Sequence, residues 1–190
     1  MAANVSSTQV LESVAERHGS PVYRAKVGEP FVVALVQEIG VSIGGEGNGG
    51  VIFPAVQPGR DSLSGAMLVL DLLSREGKTL SEMVATYPPA FMVKDRIPSE
   101  PGMWKRLSSG AKDWWPEARV DELDGLKWIW ADRWLQLRPS NTEPILRIMA
   151  EAGSSEEARR LVESVKARIL FLLFPFGNAS AARYGDSVWF

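Results

Sequence analysis

Apolar residues along the first part of the chain recur at two spacings, and the alternation between them predicts an α/β layer. Leu11 and Val14 repeat at helical spacing, whereas several short apolar runs are bounded by Gly or Pro, as strands are. Asp61, and Thr79 with Glu82, have the positions of helix N-caps. In chain order, the patterns predict a helix over about 10–19, a strand over 21–25, a helix over 31–39, strands over 41–45 and 50–54, a helix over 61–73 and a short helix after 79.

The pattern changes after Tyr87, where two consecutive prolines favour a linker. Gly125 predicts a hairpin turn, and Ser154 with Glu157 predicts the start of a helix over about 155–170. The strands predicted beyond the linker are 91–97, 126–130, 134–138 and 145–152. The sequence therefore predicts an α/β unit over 1–87, a smaller α+β domain with an antiparallel sheet over 90–170, and an atypical tail over 171–190.

Composition narrows the function classes. The chain is 45% hydrophobic and 23% charged, which is ordinary for a globular protein. Its net charge of −2 offers no basic excess for binding nucleic acid or an anionic membrane. The absence of cysteine excludes disulfides and thiolate metal sites, and the longest apolar run, 169–176, is far shorter than a membrane span. We therefore expect a cytoplasmic protein with no nucleic-acid or membrane partner.

Residues 44–50 form the first stretch with candidate chemistry. Five of these seven residues are glycine, which lets the backbone turn sharply and approach a ligand closely. Glu46 and Asn48 stand between the glycines, and their carboxylate and amide groups suit sugar hydroxyls. The residue order does not match a dinucleotide-binding fingerprint. A flexible surface turn remains the alternative interpretation.

Residues 138–144, between two predicted strands, form the second such stretch. Arg138 offers a bidentate guanidinium to phosphate oxygens, and Ser140, Asn141 and Thr142 add hydroxyl and amide donors. Successive backbone N–H groups in a turn of this kind can form a nest for an anion. The residue types predict a phosphate-binding loop, with an ordinary hairpin loop as the alternative.

The two loops, in this order and about ninety residues apart, resemble the sugar-binding and phosphate-binding loops of the α-D-phosphohexomutases. The flanking segments 23–29 and 53–65 resemble those around the sugar loop in that family, and the resemblance covers about residues 4–170. It implies the last two of four family domains, the third incomplete. The activity it implies is phosphoryl transfer between the 1 and 6 positions of a hexose phosphate.

The resemblance also implies roles for individual residues. Those on or beside the sugar-recognition motif are Glu46, Asn48, Gly49, Lys26 and Glu29, and those on the phosphate motif are Arg138, Ser140, Asn141 and Thr142. The expected ligand is glucose, mannose or glucosamine phosphate, and the loops leave this choice open.

The family's phosphoserine loop and aspartate-rich Mg²⁺ loop have no counterpart in this sequence. We therefore expect this chain to have no catalytic residue, no bound metal or cofactor and no mutase activity alone, although Mg²⁺ is expected for the full-length family enzyme. The missing N-terminal domains would be its partner, and the incomplete third domain would expose apolar faces. A stand-alone phosphosugar-binding or regulatory module and a non-functional gene remnant remain alternatives.

Overall fold

Two hydrophobic cores, one on either side of Ala90, divide the chain into two units, Met1–Ala90 and a second that begins at Phe91. The structure is a computed structural model that describes residues 1–173. The elements of the first unit are β1 (Ala2–Asn4), α1 (Val10–Arg17), β2 (Tyr23–Ala25), α2 (Glu29–Ile39), β3 (Gly44–Gly45), β4 (Val51–Phe53), β5 (Gln57–Arg60), α3 (Ser62–Glu76) and α4 (Leu80–Val84).

The first unit is built on a five-stranded sheet in the order β2-β1-β3-β4-β5. β1 pairs in parallel with β2 and β3, whereas β3, β4 and β5 pair antiparallel. α2 covers one face, where Val36 is buried with Ala2 and Ile52. α3 packs on the other face, where Gly65 lies against Val51, since successive strand residues point to opposite faces. The arrangement confirms the predicted α/β unit.

The helix caps predicted for this unit are present. Asp61 caps α3 by accepting a hydrogen bond of 2.9 Å from the backbone N–H two residues later, and Gly77 ends the helix in the left-handed conformation. Thr79 and Glu82 form a complete capping box at α4. α2 begins at Glu29, earlier than predicted, because proline is well tolerated in the first turn of a helix.

The hydrophobic pattern does not predict β1, although β1 is the middle strand of the three parallel ones. Its residues Ala2, Ala3 and Asn4 are small or polar, so they carry little hydrophobic signal. All three are nonetheless buried, because the strand has neighbouring strands on both sides and α2 packs against it.

One face of α3 is apolar and exposed. Leu63, Met67 and Leu70 follow each other at helical spacing and are 70%, 57% and 58% exposed. On α4, Leu80 and Val84 are also exposed. A contiguous apolar surface of this kind is typical of a contact region, and it agrees with the expectation of exposed apolar faces in this unit.

The second unit is a five-stranded sheet in the order β6-β10-β9-β8-β7, in which every neighbouring pair is antiparallel. Its elements are β6 (Phe91–Pro98), α5 (Met103–Ala111), a short 3-10 helix (Lys112–Trp114), β7 (Arg119–Asp121), β8 (Leu126–Ile129), β9 (Trp134–Pro139), β10 (Ile145–Ala152) and α6 (Ser155–Leu173). This topology confirms the predicted α+β domain with an antiparallel sheet. Leu137 and Ile148 from the central strands form its core with Leu107, Val165 and Trp128.

α5 and α6 differ from the sequence-based expectation. The sequence analysis places no helix at α5, where Ser-Ser-Gly at 108–110 has low helix propensity, yet Met103, Leu107 and Ala111 bury one face of this helix. α6 continues to Leu173, three residues into the predicted tail. The helix extends because Leu173 packs against the core of the unit. The rest of the predicted tail, 174–190, lies outside the described residues.

We expect Ile148→Ala to destabilise the second unit by about 2–5 kcal/mol, because it removes most of a fully buried side chain from a packed core. Leu70→Ala, at a position that is 58% exposed, is the control and should change stability by no more than about 0.5 kcal/mol. Urea unfolding followed by circular dichroism measures both. Equal losses in the two variants would contradict the assignment of Ile148 to the core.

Candidate functional site

The parallel strands β1, β2 and β3 end at the same edge of the first sheet. The chain passes from β1 to β2 on one side and then crosses to β3 on the other side, so the strand order reverses between β1 and β3. At such a switch point, α/β proteins bind ligands in a crevice outside the carboxyl ends of the strands. Lys26 follows β2 and Glu46 follows β3, so the topology brings both to this edge.

Glu46 opens the glycine-rich loop, which is the hairpin connection from β3 to β4. The loop is closed by hydrogen bonds from Glu46 N to Gly50 O at 3.0 Å and from Gly49 N to Glu46 O at 3.1 Å. Oε1 of Glu46 accepts hydrogen bonds from Asn4 Nδ2 at 2.9 Å and from Gly28 N at 3.1 Å. The carboxylate is therefore anchored to the end of β1 and the start of α2. The sequence analysis did not identify Asn4. Its polar side chain lies at the end of β1, a strand that the hydrophobic pattern does not predict.

Asn48 and Gly49 lie at the exposed tip of the same loop. Asn48 Oδ1 accepts a hydrogen bond of 3.1 Å from Gly50 N, which folds the side chain back onto the loop. Gly50 has no room for a Cβ, because the alkyl part of Arg60 lies across it. Arg60 therefore forms one wall of the loop, a neighbour that the sequence did not indicate.

Glu29 is engaged with Arg60 in this structure. Glu29 Oε1 accepts a hydrogen bond from Arg60 N at 2.9 Å, and Oε2 accepts one from Arg60 Nε at 2.7 Å. These hydrogen bonds, the backbone one foremost, lower the pKa of Glu29. Glu29 thus holds β5 beside the glycine-rich loop, and its contact with substrate stays a prediction. Lys26 is exposed, and its role likewise stays a prediction.

The predicted phosphate loop connects β9 to β10. Ser140 N donates to Ile145 O at 3.0 Å, and Ile145 N donates to Glu143 O at 2.8 Å, which makes the connection tight. Asn141 and Thr142 lie exposed at its tip. The loop thus presents three polar side chains, a hydroxyl, an amide and a second hydroxyl, in succession.

Arg138, at the end of β9, is only 9% exposed, and its guanidinium group lacks part of the hydrogen bonding that its burial requires. Arg138 Nη1 lies 3.9 Å from Asp124 Oδ2 and 3.4 Å from Pro139 O, but its buried Nε has no hydrogen-bond partner in the described part of the chain. Burial lowers the pKa of Arg138, the Asp124 charge opposes this, and the charge of Arg147 adds to it. A buried donor without a partner is costly, and an anionic ligand would relieve that cost.

Arg147 joins this group, although sequence reasoning did not assign it to the site. The antiparallel register places Arg147 directly opposite Arg138, and Arg147 Nε donates to Ser140 Oγ at 3.4 Å. Glu143 forms an ion pair with Arg147, and its Oε1 lies 3.9 Å from Arg96 Nη1. Like charges on directly opposite strand residues repel each other. The negative charge of Glu143 offsets this repulsion, and a bound phosphate would offset it in the same way. Only the strand pairing reveals this neighbour.

Within residues 1–173, no three His, Cys, Asp or Glu side chains are grouped so that they could hold a metal ion. The described residues therefore offer no ligand set that fits the Mg²⁺ implied by the family resemblance. In the same range, no helix has both the length and the apolar character needed to cross a bilayer.

Gly125, in the turn before β8, makes room for Arg138. It has φ +80°, and a Cβ there would lie 2.5 Å from Arg138 Cβ and against Leu137 O. We expect Gly125→Ala to displace Arg138 and to lower stability more than Gly77→Ala, a matched control with φ +62° and open space around it. The control isolates the cost of the left-handed backbone, roughly 1–2 kcal/mol, from that of the steric clash.

Thermal unfolding by circular dichroism and the NMR signal of Arg138 Nε–H measure the two effects. Equal stability losses with an unshifted Arg138 signal would contradict the close approach of the turn to β9.

Two consecutive domains of one protein family match successive parts of this chain. Residues 1–91 match the phosphoglucomutase/phosphomannomutase alpha/beta/alpha domain III, and residues 117–168 match the C-terminal domain of the same family. A phosphoglucomutase/phosphomannomutase from Thermococcus kodakarensis is 34% identical over 165 residues, covering 86% of this chain and 36% of that protein. A phosphoglucosamine/phosphogalactosamine mutase from Sulfurisphaera tokodaii is 32% identical over 167 residues, with 85% and 36% covered.

The fold agrees with these matches. A crystal structure of a phosphoglucomutase/phosphomannomutase family protein from Burkholderia thailandensis aligns with a TM-score of 0.76 at 25% identity, covering 93% of this chain and 38% of that one. The chain thus spans about 36% of the length of the curated relatives it matches. It belongs to the phosphoglucomutase/phosphomannomutase family and corresponds to the C-terminal portion of those enzymes, domains III and IV.

Proposed function

We propose that this chain is the substrate-recognition portion of a phosphohexose mutase, an enzyme that moves a phosphoryl group between the 1 and 6 positions of a hexose phosphate. In this proposal the C-terminal domain binds the phosphate that is not transferred, and domain III binds the sugar ring. The observation that carries the proposal is the buried guanidinium of Arg138, whose Nε has no partner among the described residues while Arg147 stands opposite.

The residues around Arg138 support phosphate rather than a carboxylate as the ligand. Two guanidinium groups on one strand pair match the charge of a phosphate dianion better than that of a single carboxylate, and each can donate two parallel hydrogen bonds. The Ser140 hydroxyl is within reach of Arg147, and the exposed Asn141 and Thr142 add donors at the loop tip. When phosphate binds, it takes over the negative charge that Glu143 supplies to Arg147.

The anchored carboxylate of Glu46 supports recognition of sugar hydroxyls. Because a carboxylate accepts hydrogen bonds from a hydroxyl and from an ammonium group alike, Glu46 suits glucose, mannose and glucosamine phosphates. The relatives are named for glucose, mannose, glucosamine and galactosamine phosphates, so their names do not narrow the choice. Asn48 and Gly49 lie beside Glu46 on the same loop, and Lys26 lies at the same edge of the sheet.

We further propose that the chain alone does not catalyse the transfer and that its partner is the N-terminal portion of the enzyme. A mutase needs a group that carries the phosphoryl between positions and a cation that stabilises its charge. The described residues contain no candidate metal cluster, and the chain spans about 36% of its relatives. The exposed apolar face of α3 supports contact with further polypeptide. Mg²⁺ would then be held by that N-terminal portion, and a cytoplasmic location stays a prediction.

Arg138→Ala is expected to weaken binding of glucose 6-phosphate by roughly 10- to 150-fold, the effect of losing about 1.5–3 kcal/mol of charge-assisted hydrogen bonding. Isothermal titration calorimetry measures the dissociation constant, with inorganic phosphate as a second ligand. The matched control is Arg160→Ala, which removes a 76% exposed guanidinium that pairs with Glu156 on α6 and should leave both affinities unchanged.

The ligand pair separates the two parts of the proposal. Arg138→Ala should weaken both ligands, whereas Glu46→Gln should weaken glucose 6-phosphate and leave inorganic phosphate unaffected. Unchanged phosphate affinity in Arg138→Ala would overturn the phosphate assignment, and equal effects of Glu46→Gln on both ligands would overturn the sugar assignment.

Mixing tests the partner proposal. The purified chain should not interconvert glucose 1-phosphate and glucose 6-phosphate, because it would lack the phosphoryl carrier. Added to the N-terminal portion of the Thermococcus kodakarensis relative, truncated where the match to this chain begins, it should restore mutase activity with Mg²⁺. Arg138→Ala should abolish the restoration, and Arg160→Ala should not.

The remaining outcomes distinguish the alternatives. Turnover by the chain alone would overturn its predicted inactivity. Binding of glucose 6-phosphate without restored activity would favour a stand-alone phosphosugar-binding or regulatory module. No binding, together with no cooperative unfolding, would favour a non-functional remnant.

A further inference from the structure

Asn4 stands at the carboxyl end of β1, the middle strand of the three parallel ones, and is only 4% exposed. Its side chain makes three hydrogen bonds. Nδ2 donates to Glu46 Oε1 at 2.9 Å, whereas Oδ1 accepts from Ser6 N at 3.1 Å and from Ser7 Oγ at 2.9 Å. A buried amide with this many contacts has one allowed orientation.

The chemistry of the partners dictates that orientation. The backbone N–H of Ser6 can only donate, so it must face the amide oxygen of Asn4. The ionised carboxylate of Glu46 can only accept, so it must face the amide nitrogen. Swapping the two ends of the amide would place oxygen against oxygen and nitrogen against nitrogen. An aspartate, which has two acceptors and no donor when ionised, therefore cannot replace Asn4 without a penalty.

Arg24 holds the loop that orients this amide. Its Nη1 donates to Asn4 O at 3.0 Å and to Ser7 O at 3.2 Å, and its Nη2 donates to Thr8 O at 3.0 Å. The guanidinium also pairs with Glu12 of α1 at 2.6 Å. Because one side chain bonds three carbonyl groups of residues 4–8, the loop has little freedom to turn Asn4 away from Glu46.

The fixed amide of Asn4 determines which oxygen of Glu46 is hydrogen-bonded to the protein. Both of its side-chain hydrogen bonds, from Asn4 Nδ2 and from Gly28 N, end on Oε1. Among the described residues, Oε2 has no hydrogen-bond donor. One oxygen of the carboxylate is thus occupied by the protein, and the other is directed by it.

We propose that Asn4 is a positioning residue that fixes the carboxylate of Glu46 through Oε1 so that Oε2 is presented to a hydroxyl of the sugar. The role in sugar binding rests on the proposed function, whereas the coupling between Asn4 and Glu46 does not. Asn4 acts through Glu46 and does not itself touch the ligand.

Asn4→Asp tests the proposal, because it sets two carboxylates within hydrogen-bonding distance, where their like charges repel when both are ionised and favour a shared proton at lower pH. With ¹³C-labelled carboxyl groups, the Glu46 carboxyl signal should respond to pH differently in Asn4→Asp than in the unaltered chain, because a like charge replaces its hydrogen-bond donor. The other charged groups nearby in the sequence and fold, which include Arg24, Lys26, Glu12, Glu29 and Arg60, are the same in both proteins. The difference therefore isolates residue 4.

Ligand binding gives the second measurement. For Asn4→Asp, affinity for glucose 6-phosphate should fall about tenfold at pH 8 and recover toward pH 5, since a shared proton restores the donor to Glu46. At each pH, the affinity of Asn4→Asp is divided by the affinity of the unaltered chain. This ratio corrects for the change in protonation of the ligand itself. Ser109→Asp, which adds the same charge at an exposed position of α5, is the control and should keep this ratio constant.

The outcomes separate the two claims. An unchanged Glu46 titration in folded Asn4→Asp would overturn the positioning role. A shifted titration with no binding of glucose 6-phosphate by any variant would support the positioning and overturn the proposed function. If Asn4→Asp does not fold, the side-chain amide signals of Asn4 in the unaltered chain must follow the titration of the Glu46 carboxyl, and a failure to follow it would overturn the proposal.

Discussion

The parallel pairing of β1 with β2 on one side and β3 on the other is the interaction on which the first candidate site depends. It aligns Ala2 with Tyr23 and Gly44 and so brings three strand ends to one edge. Asn4 and Glu46 are 42 residues apart in the chain, yet they meet there at 2.9 Å. The strand is short and its side chains are small, so this contact depends on the neighbouring strands and helices rather than on the propensity of its own residues.

The second unit places two positively charged side chains next to each other in its sheet. Its antiparallel register sets Arg138 opposite Arg147, and two cations in that position repel each other. Asp124 and Glu143 provide nearby negative charge, which lets the sheet form without a ligand. The compensation is incomplete, since the buried Arg138 Nε has no partner in the described residues. A buried donor without a partner costs some stability, and this cost is the observation on which the proposed anion site rests.

The candidate side chains of the two units are all polar or charged. They present a carboxylate, amides, hydroxyls and guanidinium groups, all of which can form hydrogen bonds with a polar ligand. Residues 1–173 contain no group of three or more His, Cys, Asp or Glu side chains that could hold a metal ion. The exposed apolar residues Leu63, Met67 and Leu70 of α3 form a surface of the kind that is typical of contact regions.

Much of this protein follows from local sequence. The caps at Asp61 and Thr79, the antiparallel strands of the second unit and the two polar loops are encoded by residues close together in the chain. The tertiary structure alone decided what those loops contact. β1 has almost no hydrophobic signal, the hydrogen bonds of Glu29 with Arg60 join α2 to β5, and Arg147 comes to lie beside Arg138 only through strand register. Local pattern reports which face of an element is apolar, whereas the partners of a polar side chain depend on pairing between distant segments, which a single sequence does not specify.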